Sequence, residues 1–202
     1  MRNRLIHTVL ATACAAASLP ALPAVDLGDV TLEESIQVGG RHLKLNGAGI
    51  SKRLVFKIYA MGLYLPDRKQ HAAEVLAADG PRRMTIVPLR AISGDDFAEA
   101  VMSDLSTGRF GSPEVLAHLV RLAEAIAQQP GGLRKGDVLT LDWLPEVGAV
   151  VAINRRPLAA PVRDIAVYNA LLAVWLGDKP ADPSLKPKLL GMVPVAEGPA
   201  RL

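Results

Sequence analysis

The sequence predicts a single α+β domain in which short strands come first and helices pack against the sheet that they form. Half of the 202 residues are hydrophobic and 21% are charged, a composition typical of one globular domain. Glycine and proline divide the first half of the chain into short apolar stretches with period-two patterning, which is typical of strands. Helical periodicity and a returning hairpin follow in the second half, and this order favours a layered α+β fold over alternating parallel units.

The strands are predicted from their apolar alternation and from the turn residues between them. The glycine-rich stretch at residues 47–49 is expected to interrupt the sheet, and Pro145 and Glu146 to form the turn of a hairpin. Residues 154–158 supply a turn with room for one more short strand. The predicted strands cover residues 41–45, 54–65, 84–89, 137–144 and 147–153.

Helices are predicted over residues 94–105, 112–128, 164–176 and, in a short last piece, 184–190. Ser112 has the character of an N-cap, and Pro113 follows it at the first helical position. Asp164 is likewise an expected N-cap, and Gly177 an expected C-cap. These helices present apolar faces, so we expect them to pack across the sheet.

The first 24 residues have the anatomy of a secretory signal. A basic start, an apolar stretch over residues 5–19 and small residues before Val25 follow one another. The apolar stretch is shorter than the ~20 residues that a membrane anchor requires. We therefore expect an exported, periplasmic protein whose mature domain covers residues 25–202, with cleavage after Ala21 or Ala24 left open.

Charge and cysteine content exclude several classes of function. Loss of the two leader arginines lowers the formal charge from +3 to +1, so no clustered basic excess suggests nucleic acid as a partner. The single cysteine lies in the leader, which leaves no thiol for a disulfide or a metal in the mature chain. The remaining apolar stretches are too short or too interrupted for a membrane span. Phosphate-binding loops, paired metal-ligand histidines and nucleophile elbows are missing from the sequence.

One stretch resembles a known family. LNGAGISKRLVFKIYAMGLYLP, residues 45–66, is similar to a strand pair of the chalcone isomerase-like family, with its Gly-Ala-Gly turn and Gly-x-Tyr-Leu ending. The helix start at residues 94–97, the hairpin at 136–137 and the segments 168–178 and 183–186 agree in order and spacing. The resemblance covers about residues 30 to 191 and is strongest to the exported bacterial branch. It implies an open-faced sandwich, a large antiparallel sheet covered on one face by helices with a ligand cleft between the layers.

The resemblance does not carry the catalytic residues of the plant enzymes onto this chain. The position of the family's catalytic arginine is Ser51 here, which cannot supply a guanidinium. The family's threonine matches Tyr59, its helix tyrosine matches Phe97, and its asparagine matches Asp104. Chalcone isomerisation is therefore not expected.

A binding cleft is what the resemblance still implies. Strand alternation places Tyr59 and Met61 on one face, where the Tyr59 hydroxyl would be one polar group in an apolar pocket. Other family members bind fatty acids, so we expect a non-catalytic carrier of a fatty acid or similar apolar ligand. Lys52 or Arg53 would replace the missing arginine at the acidic head group. The expected ligand-binding residues are Ser51, Lys52, Arg53, Tyr59, Met61, Phe97 and Asp104.

Two alternatives stay open at this stage. The first is a heme protein, which the resemblance to fungal relatives suggests and which would need His118, Tyr59 or Met61 as axial ligand. The second is an isomerase or intramolecular lyase on an unknown substrate, with Tyr59 and Asp104 as its acid or base candidates. The leading hypothesis needs no cofactor.

Overall fold

A curled antiparallel sheet of seven strands forms the frame of the protein. The computed structural model describes residues 23–97, 99 and 112–193. Each strand of the sheet pairs with the next one along the chain, and a separate pair, β1 (Ala24–Asp26) and β2 (Thr31–Glu33), precedes them. The seven are β3 (Ser35–Val38), β4 (Arg41–Arg53), β5 (Phe56–Leu65), β6 (Arg82–Pro88), β7 (Leu139–Leu144), β8 (Gly148–Ile153) and β9 (Arg156–Pro157).

Two of the helices begin directly after the capping residues predicted for them, whereas the helix over residues 72–76 was not predicted and the last helix covers only part of the predicted residues 184–190. The helices are α1 (Ala72–Leu76), α2 (Pro113–Ala127), α3 (Ile165–Leu176) and α4 (Lys186–Leu189). The Ser112 side chain accepts a hydrogen bond from the Val115 amide, and Asp164 Oδ1 accepts one from the Ala166 amide at 2.8 Å. The helix predicted at residues 94–105 does begin at residue 94, but residues 98 and 100–111 of this region lie outside the described residues.

The main core lies between the sheet and these helices. Met61, Leu63 and Met84 project from β5 and β6 into it and are fully buried. Helix α2 contributes its stripe of apolar residues, and α3 contributes Tyr168 and Leu172. The helix-covered face that the resemblance implies is therefore present.

The opposite face of the sheet is also covered in part, which the sequence did not predict. Leu32 of β2 packs against Leu43, Leu45 and Tyr64 in a second apolar cluster. A side chain at Gly62 would come within 2.8 Å of Leu32, so the strand pair β1 and β2 sits close on β5. Residues 24–33 therefore belong to the fold.

The predicted break at residues 47–49 is wrong, because β4 continues through the glycines to Arg53. These glycines make room for the C-terminal helix. A Cβ atom on Gly47 would lie 2.0 Å from the Lys188 carbonyl oxygen, so only glycine permits this approach. Asn46 ties the same segment down by donating from Nδ2 to the Leu189 carbonyl at 2.8 Å.

A buried arginine fixes the end of β6 that lies beside α1. Arg82 donates from Nη1 to the carbonyls of Val75 and Leu76 at 2.9 and 3.1 Å, where α1 ends. Its guanidinium lies 5.1 Å from the ring centroid of Tyr168. Burial lowers the pKa of Arg82, and the nearby Tyr168 and Asp79 oppose that shift.

Among the described residues, no helix is long and apolar enough to cross a bilayer.

Candidate functional site

A cavity of about 430 Å³ lies between the sheet and the helices. Its volume falls within the range of small-molecule sites. Helix α2 begins at the Ser112 cap, and the spacing of its apolar residues places them on one face. Side chains from this face and from strands β7 and β8 line the cavity. The apolar wall includes Ile86, Leu119, Leu122, Leu139, Val151 and Leu171.

One polar pair is built into this apolar wall. Tyr59, on β5, accepts a hydrogen bond at its hydroxyl from Nε1 of Trp175, on α3, at 2.9 Å. Both residues line the cavity, and Tyr59 is half-buried. The pair connects sheet to helix and places a phenolic oxygen at the cavity wall.

The cavity opens at the end of the sheet where β4 and β6 carry arginines. Arg53 ends β4 and Arg90 follows β6, and both are exposed residues of the cavity wall. Asp96 is the exposed acidic residue of the same rim. We call these three residues the cavity mouth. Two cations and one carboxylate make it favourable for an anionic head group.

The structure brings three of the predicted ligand-binding residues together. Arg53, Tyr59 and Phe97 all line the cavity. Phe97 comes from the helical turn that begins at Gly94, where the Ser93 hydroxyl accepts from the Asp96 amide.

The other four predicted residues lie elsewhere. Met61 faces the helices as predicted but is fully buried in the core and is not among the described residues of the cavity wall. Lys52 is exposed and lies outside that wall, and so does Ser51. Asp104 lies outside the described residues. The contact of these four with a ligand stays a prediction.

Ser51, the residue that the resemblance matches to the catalytic arginine, forms a hydrogen bond within the fold. Its hydroxyl donates to Asp182 Oδ2 at 2.7 Å. Burial opposes ionisation of Asp182, but hydrogen bonds from Ser51 and from the side chain and backbone of Ser184 outweigh it and lower the pKa of Asp182. The two residues therefore join β4 to the loop that precedes α4.

Sequence reasoning missed Arg90 and Trp175. Arg90 stands directly after a predicted strand, a position at a sheet end that could have marked it as a rim residue. Trp175 was expected only as part of an apolar helix face, although its indole N–H needs an acceptor when buried. No pattern in the sequence pairs it with Tyr59, since 116 residues separate the two.

Tyr59 is the one residue of the described wall that matches a predicted axial ligand of heme. The described wall contains no histidine or methionine, and the Tyr59 hydroxyl accepts a hydrogen bond from Trp175. His118 is half-exposed on α2 and is not among the wall residues described. Metal-ligand clusters of three or more acidic, histidine or cysteine side chains are also missing from the described residues.

The sequence model of the chalcone isomerase-like family matches residues 24–191. The chain belongs to this family. The solved structure of a fatty-acid binding protein of Arabidopsis thaliana is similar, with a TM-score of 0.61 at 16% sequence identity over 83% of this chain and 96% of that one. At this identity the likeness shows the fold, a curled antiparallel sheet with helices. No protein of curated function matches the chain in sequence.

Three residues that the resemblance matches to catalytic positions of the chalcone isomerase-like family differ from the catalytic types. Ser51 is hydrogen-bonded to Asp182 and Tyr59 to Trp175, and Phe97 has no hydroxyl. None of these three can polarise a substrate carbonyl as a guanidinium does. The described wall of this member is lined mostly by apolar side chains.

Proposed function

We propose that the protein binds a fatty acid, or a similar single-chain apolar ligand with an acidic head group, without chemical conversion. The observation that carries this proposal is the cavity itself, an apolar space of about 430 Å³ with two arginines at its mouth. The similarity to a fatty-acid binding protein of the same fold supports it. Chalcone ring closure is not expected, because the arginine position holds Ser51.

The direction of the ligand follows from the placement of charge. The acyl chain would lie along Leu122, Leu139 and Val151, where each buried methylene contributes roughly 0.8 kcal/mol. The carboxylate would stay at the mouth beside Arg53 and Arg90, because an unpaired carboxylate inside the wall would be strongly unfavourable.

A matched pair of variants tests the proposal. Ala123 is a buried cavity residue of α2, whereas Ala117 is exposed on the same helix. Ala123→Phe fills part of the cavity and should weaken the binding of a saturated fatty acid at least about tenfold, while Ala117→Phe should leave it unchanged. Titration calorimetry with both purified variants measures the difference. Equal affinity for both variants would place the ligand elsewhere or nowhere.

We further propose that the protein is periplasmic and belongs to the exported bacterial branch of the family. The support is the three-part leader over residues 1–24, which lies almost wholly outside the described residues. Intact-mass measurement should give a mature N-terminus near Val25 in an exported fraction. Retention of the whole leader in a cytoplasmic protein would contradict this proposal.

A further inference from the structure

The tip of the hairpin between β4 and β5 exposes three consecutive apolar side chains. Leu54, Val55 and Phe56 are 92%, 84% and 58% exposed. They are the three most exposed large hydrophobic side chains in the part of the chain that the structure describes. Scattered single leucines on a surface need no explanation, but a contiguous apolar tip does.

This tip projects beyond the rest of the sheet. The register of β5 with β6 begins at Tyr59, which lies opposite Pro88, and one more backbone hydrogen bond runs from the Leu89 amide to the Ile58 carbonyl at 2.8 Å. The hairpin beyond this point is held by its own two strands, in the pairs Lys52 with Lys57 and Arg53 with Phe56. The two strand residues beyond that bond, Phe56 and Lys57, correspond to a projection of about 7 Å before the turn itself. The tip is therefore placed to touch a surface before the body of the protein does.

The backbone at the tip is unfavourable for the residue that occupies it. Leu54 has φ of +53°, in the left-handed region that glycine adopts readily and branched apolar side chains avoid. Two-residue hairpin loops normally place glycine or asparagine where φ is positive. Stability of the fold alone favours a small polar turn here, so both the strain and the exposed leucine need another reason.

Basic side chains surround the apolar tip. Lys52, Arg53 and Lys57 lie on the two strands, and the guanidinium of Arg90 lies 5.9 Å from the centroid of the Phe56 ring. The sequence contains no acidic residue from residue 35 to residue 66. Within the described part of the chain, none of these four cations forms an ion pair. An apolar point inside a basic collar is complementary to an anionic lipid surface, whose phosphates lie above its acyl chains.

We propose that this tip docks the protein on an anionic phospholipid membrane. Leu54 and Val55 enter the boundary between head groups and acyl chains, and Phe56 lies at the head-group level with Arg90. Arg53 and Arg90 also belong to the cavity mouth, so docking brings the mouth to the membrane. An apolar molecule could then pass between bilayer and cavity with little exposure to water. The docking itself goes beyond the proposed fatty-acid binding and does not depend on it.

Vesicle flotation with the protein freed of its leader tests the docking. The probes are vesicles of phosphatidylcholine alone and of phosphatidylcholine with phosphatidylglycerol. The protein should float with the anionic vesicles, and raising the salt concentration should weaken this binding because the charges are exposed. Leu54→Gly/Val55→Ser gives the loop a favourable turn sequence, so it should fold, and it should reduce partitioning at least about tenfold.

Two further variants separate the contributions. Lys52→Gln/Lys57→Gln should reduce partitioning on anionic vesicles about tenfold or more, and on neutral vesicles little. Met192→Ser/Val193→Ser removes two other exposed apolar side chains and should change nothing. The tip variant and Met192→Ser/Val193→Ser change neither a described residue of the cavity wall nor an expected ligand-binding residue, so fatty-acid affinity in solution should stay unchanged in these two variants.

The outcomes are distinguishable from those of the fatty-acid proposal. Absence of flotation, or flotation that the tip variant does not reduce, would overturn the docking even if fatty acids bind. Sedimentation at increasing protein concentration is the second readout. A dimer that Leu54→Gly/Val55→Ser dissociates would overturn the proposal in favour of contact between two copies of the chain.

Discussion

Removing both arginines of the cavity mouth should weaken fatty-acid binding only modestly. Arg53 and Arg90 are exposed, and an exposed ion pair contributes about 0.2 to 1 kcal/mol. Arg53→Gln/Arg90→Gln should therefore cost about 1 kcal/mol, or roughly a fivefold loss of affinity. Shortening the acyl chain by two carbons should cost more, because each methylene contributes roughly 0.8 kcal/mol.

Titration calorimetry at low salt and at high salt measures this effect. The difference between wild type and the double variant should almost vanish at about 1 M salt, where the screening length is only ~3 Å. Asp96→Asn should have the opposite sign and raise affinity slightly at low salt. Arg68→Gln/Arg121→Gln changes two exposed arginines outside the described wall and serves as the control. Complete loss of binding in the mouth variant, unaffected by salt, would mean that the head group is buried and not exposed at the cavity mouth.

Three other substitutions have expected outcomes. Tyr59→Phe removes the acceptor of the Trp175 indole and should lower the free energy of unfolding by about 1 kcal/mol in denaturant titration; an unchanged midpoint would show that the bond contributes nothing. Ser51→Ala removes a hydrogen bond to Asp182 and should raise the pKa of that carboxyl. Because the low pKa of Asp182 stabilises the fold at pH values above the ordinary aspartate pKa of 3.8, the variant should have a lower melting temperature there. This difference should shrink as pH falls through the folded-state pKa, and a difference that does not change with pH would contradict the prediction. Leu54→Gly should raise stability by about 1 kcal/mol by relieving the positive φ, and a lower melting temperature would argue against strain at the tip.

Local patterns predicted α2 and α3 well because their signals lie within a few residues, whereas α1 has no such signal and was not predicted. Ser112 followed by Pro113, and Asp164 before an apolar run, mark helix starts that the structure confirms. Gly177 does end its helix, but for a different reason from the usual left-handed cap. Its φ is −68°, and glycine is needed because a Cβ would lie 2.5 Å from the Ala173 carbonyl oxygen.

Features that depend on distant contacts could not be predicted in the same way. The glycines at residues 47–49 look like a turn until α4 is seen against them, since the reason for Gly47 lies more than 140 residues along the chain. The strand pair β1 and β2 is too short to show a periodic pattern.

The site shows the same limit. Arg53, Tyr59 and Phe97 could be placed in the cavity wall from the resemblance and from strand alternation. Lys52 could not be separated from Arg53, because the irregular register between Ser51 and Lys52 sets which side chain reaches the wall. Trp175 and Arg90 could not be placed in the wall from the sequence, because their positions depend on how α3 packs and how the sheet curls.

The dependence of affinity on acyl chain length is the most direct test of fatty-acid binding in the cavity. Saturated fatty acids of increasing length are titrated against residues 25–202 of the chain. Affinity should rise about fourfold for each added methylene until the cavity of about 430 Å³ is filled, and should then reach a plateau. Ala123→Phe should move that plateau to shorter chains, and Ala117→Phe should not. Affinity that does not depend on length, or no binding at any length, would show that the cavity does not bind an acyl chain.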